Sequence, residues 1–147
     1  MFFTNIQYVS FHEKISTVVE GLNLIRDQIE YSHLAMENKY KSLFHKCVQA
    51  QGNKHSAAAI LFANECTKVR KMAKTIMVSQ LTLERLVFNL DTIHDYWDAI
   101  AEFKPMRSTL QVLSGRLADF LPETAYQLKQ LGETLASISD ELDNRQD

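Results

Sequence analysis

Apolar residues return every seven positions along most of this chain, and almost nothing interrupts them. Ile15, Leu22, Ile29, Met36 and Leu43 form one series, with Val18 and Ile25 between them. Val69, Ile76, Leu83, Leu90 and Trp97 form a second, interleaved with Met72, Leu86, Ile93 and Ile100 and broken only by Ser79. Spacing of this kind over more than four heptads predicts long helices packed along a seam, and the period-2 alternation of strands is absent. The 147 residues hold only 4 Gly and 2 Pro. Between residues 13 and 104 the one plausible breaker is Gln51-Gly52-Asn53. Gly21 stands alone in a periodic stretch, where it costs ~1 kcal/mol against Ala without ending a helix. So short a break makes the two helices antiparallel neighbours. The expectation is an all-α chain whose long helical hairpin covers 13–104 with its turn at 51–53. A second helix of ~50 residues would be about 75 Å long, a rod.

Two shorter accessory helices are expected over 105–143. Pro105 and Pro122 each suit a first helical turn, and Glu123 suits the positive helix end. Leu110, Leu113, Leu117, Phe120 and Leu121 form one stripe, and Leu128, Leu131, Leu135, Ile138 and Leu142 another. Residues 144–147 should fray. Ahead of the hairpin, residues 1–12 form an aromatic-rich apolar segment. It either packs on the helices or uses Phe2, Phe3 and Ile6 as a shallow membrane anchor, weak in one copy and useful through avidity.

Hydrophobic residues make up 46% and charged residues 23%, which fits one globular domain and neither a disordered chain nor a membrane span. The start lacks a basic n-region and a small-residue cleavage site, so a cytoplasmic chain is expected. The net charge is −2, but it is unevenly spread: 0 over residues 1–50, +4 over 51–85 and −6 over 86–147. The acidic total and a basic cluster of four residues argue against nucleic acid as a partner.

Catalytic and metal chemistry find no support. Glu30-Tyr31-Ser32-His33 and Asp91-Thr92-Ile93-His94 resemble halves of a di-iron site, but a turn near 52 leaves the two histidines about 33 Å apart in helical rise. Cys47 faces residue 58 rather than Cys66, so two reduced thiols are expected. No phosphate loop, nucleophile elbow or carboxylate pair appears, and no enzyme, metal or cofactor is expected.

Three surfaces remain. Met77, Val78, Leu81 and Phe88 (with Val87) give the second helix an apolar face outside its seam, to be covered by the accessory helices or offered to another subunit. Lys68, Arg70, Lys71 and Lys74 form a basic patch away from the seam. Asp91, Asp95, Asp98 and Glu102 form an acidic stripe spaced 4, 3 and 4 residues apart. Sliding a parallel copy by 24 residues sets Lys71 beside Asp95 and Lys74 beside Asp98, a stagger of about 36 Å. Solvated faces, or lysines on anionic lipid, are the competing readings.

The second helix also carries Ala63-Asn64-Glu65-Cys66-Thr67-Lys68-Val69-Arg70-Lys71-Met72-Ala73-Lys74 and Ser79-Gln80-Leu81-Thr82-Leu83-Glu84-Arg85-Leu86-Val87-Phe88-Asn89-Leu90-Asp91-Thr92-Ile93. Together with Leu43–Gln51 these segments resemble the core of the archaeal CdvB cell-division proteins, homologues of ESCRT-III, over roughly residues 13–140. Phe88-Asn89 departs from the family's Leu-Arg. No winged-helix extension follows residue 143, so the resemblance is to a short, core-only paralogue. It implies a non-enzymatic subunit that polymerises with itself and with paralogues on the inner face of a membrane and helps constrict it at the division site. It also implies an AAA ATPase that remodels the polymer, although the absence of a convincing leucine-arginine motif speaks against direct docking here. The alternative is a monomeric or dimeric coiled-coil adaptor holding a partner helix in a groove.

Overall fold

Heptad spacing, few glycines and good helix formers give, among the described residues of a computed structural model, four helices: α1 (Phe2–Gly52), α2 (Ser56–Asp91), α3 (Tyr96–Leu117) and α4 (Pro122–Arg145). The structure describes the backbone of residues 2–93 and 96–145, and the side chains of 11–93, 98–99 and 101–144. No strand occurs among the described residues. The chain divides into two compact units, Met1–Asp27 with Leu81–Asp147, and Gln28–Gln80.

The first unit assembles the start of α1, the end of α2, α3 and α4 around one apolar core. Phe11, Ile15, Val18, Leu22 and Ile25 enter it from α1, and Leu83, Leu86, Val87 and Leu90 from α2. Phe103, Met106, Leu110, Leu113 and Leu117 enter from α3, and Leu128, Leu135, Ile138 and Leu142 from α4. Spacings of three and four keep each set on one helical face. Polar groups fix the joints. Ser114 Oγ donates to the Ala125 carbonyl at 2.7 Å, joining α3 to α4. Lys14 pairs with Glu141 across α1 and α4. Gly21 leaves room for the end of the Leu131 side chain on α4, since a Cβ there would lie 2.9 Å from Leu131 Cδ2.

The second unit is a two-helix hairpin whose seam buries Ile29, Ala50, Cys66, Val69 and Ile76. Ser79, the one polar residue in the repeat, is buried and satisfied, donating to the Thr75 carbonyl at 2.8 Å. The turn is a Schellman motif. His55 N–H bonds the Ala50 carbonyl at 2.8 Å, Lys54 N–H bonds the Gln51 carbonyl at 3.1 Å, and Lys54 has φ 62°. That is the left-handed position that glycine usually fills.

The structure differs from the sequence-based boundaries in four places. Helix α1 starts at Phe2, so residues 2–12 are its first turns rather than a separate segment. The hairpin turn lies at 53–55, because Gly52 is still helical and carries no positive φ. Helix α2 stops at Asp91 after 36 residues, about 54 Å instead of 75 Å. There the ladder tightens, with Thr92 N–H to the Asn89 carbonyl and Ile93 N–H to the Leu90 carbonyl, and Thr92 Oγ1 donates to the Asn89 carbonyl at 2.8 Å. Such local bonds compete with helix continuation. Pro105 therefore sits inside α3 rather than opening it. At that point the ring leaves one intrahelical hydrogen bond unmade.

Candidate interaction surfaces

The basic patch lies on the α2 arm of the hairpin unit. Lys68, Arg70, Lys71 and Lys74 are all exposed and lie opposite the buried seam of Cys66, Val69 and Ile76. Lys68 reaches Glu65 at 3.2 Å, one turn back. Arg70 lines an open groove of about 460 Å³ together with Glu37, Tyr40, Lys41 and Ala73.

The acidic stripe is not a stripe on one helix. Asp91 is the last residue of α2, whereas Asp98 and Glu102 are exposed on α3. Asp95 lies outside the described residues. A 24-residue slide needs one helical register from Lys71 to Asp98, and the end of α2 at Asp91 breaks that register. A stagger of about 36 Å therefore does not follow from helical rise.

The apolar second face is open. In the first unit Leu81 is 57% and Phe88 67% exposed, seven residues apart on α2, and the accessory helices do not cover them. Val87, beside them, is buried in the core. In the hairpin unit Met77 and Val78 are exposed as well. Phe2, Phe3 and Ile6 have a helical backbone, but their side chains lie outside the described residues.

One surface escaped the sequence reading. At the closed end of the hairpin, Phe44 (54%), Val48, Ile60 (62%) and Leu61 are exposed. The signal was present as a 27-residue stretch, 38–64, holding Lys39, Lys41, Lys46 and Lys54 and no Asp or Glu. The stretch straddles residue 50, so neither the neutral first part nor the basic middle of the chain shows it by its net charge.

Both cysteines are free. Cys47 Sγ donates to the Ala59 carbonyl at 3.3 Å, which fixes the register of the two arms. Burial pushes the Cys66 thiol up, and the neighbouring Cys47 adds to the effect. His33 lies 3.7 Å from Glu37, and His94 lies outside the described residues. Among the described residues no three His, Cys, Asp or Glu side chains are grouped to hold a metal, and no helix is long and apolar enough to cross a membrane.

The architecture is all-α, a helical hairpin with accessory helices, consistent with an ESCRT-III-like fold. The chain is 31% identical over 103 residues to Cell division protein B1 of Sulfolobus acidocaldarius, covering 70% of this chain and 48% of that protein. It is 26% identical over 131 residues to Cell division protein B of the same organism, covering 89% of this chain and 50% of that protein. This chain belongs to the archaeal CdvB family. It spans about half the length of the curated relatives it matches. No family model and no solved structure matches it.

Proposed function

We propose that the chain is a non-enzymatic, filament-forming subunit of an ESCRT-III-like cell-division machinery. It polymerises with copies of itself and with paralogues on the cytoplasmic face of the membrane and helps constrict it. The cell-division names of the two relatives support the process. The exposure of Leu81 and Phe88 supports polymerisation, since an apolar face left open on a folded unit is a contact surface. Contacts of that kind that do not close generate filaments. Electron microscopy of the purified chain with anionic liposomes tests the reading. Spiral or helical polymers are expected, and uniform discrete particles at every concentration would overturn it in favour of the adaptor.

A further inference from the structure

We propose that the closed end of the hairpin, residues 39–61, is a lipid-binding surface that settles on anionic membrane with its apolar side chains in the interface and its lysines among the head groups. This rests on the membrane-associated reading of the function and names the part of the chain that makes the contact.

Three observations on this one end carry it. Phe44 and Val48, one turn apart, form an exposed apolar ridge on α1, extended by Tyr40, whose ring stacks on Phe44 with centroids 6.2 Å apart. The Cys47–Ala59 bond sets residues 44–48 level with 58–62, so Ile60 and Leu61 lie at the same height on α2. Successive residues point about 100° apart, so those two carry the apolar surface around the arm rather than along one groove. A fluid bilayer accepts such a surface from several directions, which a rigid partner helix does not.

The second observation is charge. Lys39, Lys41, Lys46 and Lys54 are all exposed, and residues 38–64 hold no carboxylate side chain. Cations around an apolar anchor are the chemistry of anionic-lipid binding. The same charges make the end repel another copy of itself.

The third is Lys54. It holds a left-handed backbone at φ 62°, at the turn position glycine fills at lower cost, and its side chain is exposed. Backbone strain on a non-glycine residue clusters at functional sites, and here it sets an exposed cation at the tip of the hairpin.

Co-sedimentation of the full chain with phosphatidylcholine vesicles, with and without phosphatidylglycerol, tests the proposal, with assembly in lipid-free solution followed separately by electron microscopy. The wild type should bind the anionic vesicles and leave the neutral ones. Lys39→Glu with Lys46→Glu and Lys54→Glu should lower the bound fraction by about tenfold or more. Phe44→Ser with Val48→Ser should lower it too, and Ile60→Ser with Leu61→Ser provides a second apolar variant. All these side chains are exposed, so helix content by circular dichroism should not change. Wild-type binding by these variants overturns the proposal, as does loss of binding only in Lys68→Glu with Lys71→Glu and Lys74→Glu. Loss of solution assembly with vesicle binding intact also overturns it, making the hairpin end a protein contact. A wild type that assembles but ignores anionic vesicles sinks the lipid site and the membrane part of the proposed function, and leaves the filament reading standing. A wild type that binds vesicles and never assembles sinks the filament reading alone.

Discussion

Lys54 and Gly52 have exchanged the roles their chemistry suggests. The left-handed conformation costs a non-glycine residue about 1–2 kcal/mol, while glycine in a helix gives up roughly 0.5–1 kcal/mol against alanine. Gly52 is helical, a methyl group there would meet nothing within 4 Å, and Lys54 carries the positive φ. Lys54→Gly and Gly52→Ala should therefore each stabilise the chain by about 0.5–1 kcal/mol, a rise of roughly 2–4 °C in Tm. Thermal unfolding by circular dichroism checks both. The pair also separates stability from function, since only Lys54→Gly should weaken vesicle binding as it raises Tm. The sequence points to a turn at 51–53 because glycine is the strongest local signal there. The break is set instead by the seam, which keeps Ala50 and Cys66 buried and lets the helix run through Gly52 before turning.

At the level of the helices, the heptads made α1 and α2 legible, because one apolar period in the chain has one helical solution. The same period hid the end of α2. Ile93 keeps the spacing across Asn89-Leu90-Asp91-Thr92, and only the local hydrogen bonds of Thr92 and Ile93 show that the helix stops. Continuity of the acidic stripe failed with it. The role of α4 turns on magnitudes. Its net negative charge suggests an electrostatic restraint, and the contact is visible in the Lys14–Glu141 pair. That pair is half-exposed, and such pairs contribute ~0.2–1 kcal/mol. Against it stand Leu128, Leu135, Ile138 and Leu142, all buried. At about 1.5–3 kcal/mol each they sum to roughly 6–12 kcal/mol before allowance for residual burial in the unfolded chain. Apolar packing wins by about an order of magnitude. Raising salt should consequently move Tm by no more than about 2 °C, since only the exposed pair is screened. A chain ending at Leu121 should lose more helical signal than the 24 residues of α4 contribute, because Leu110, Leu113 and Leu117 lose their cover. Salt-induced opening with the core intact would reverse this conclusion.

For the molecule as a whole, the decisive property is apolar surface that folding leaves open. Leu81 and Phe88 stand seven residues apart on α2, so they share a face, and both are more than half exposed while Leu83, Leu86, Val87 and Leu90 beside them are buried. The sequence showed that these residues fall outside the seam. It could not show whether α3 and α4 would cover them, because those helices have their own stripes to bury and spend them on the core around Phe103. Burial separates fold from assembly here: substitution at Leu83 would create a cavity in the core, whereas Leu81 and Phe88 can change without one. Leu81→Asp with Phe88→Asp should leave helix content unchanged and stability within about 0.5 kcal/mol of the wild type, as expected for exposed positions. It should nevertheless abolish polymers in lipid-free solution, because two carboxylates placed at an apolar contact lose their hydration without gaining a partner. Vesicle binding through the hairpin end should persist in this variant at the level of a single subunit, with a shallower dependence on protein concentration once avidity is gone. Polymers of wild-type morphology from the doubly substituted chain would remove this face from the assembly.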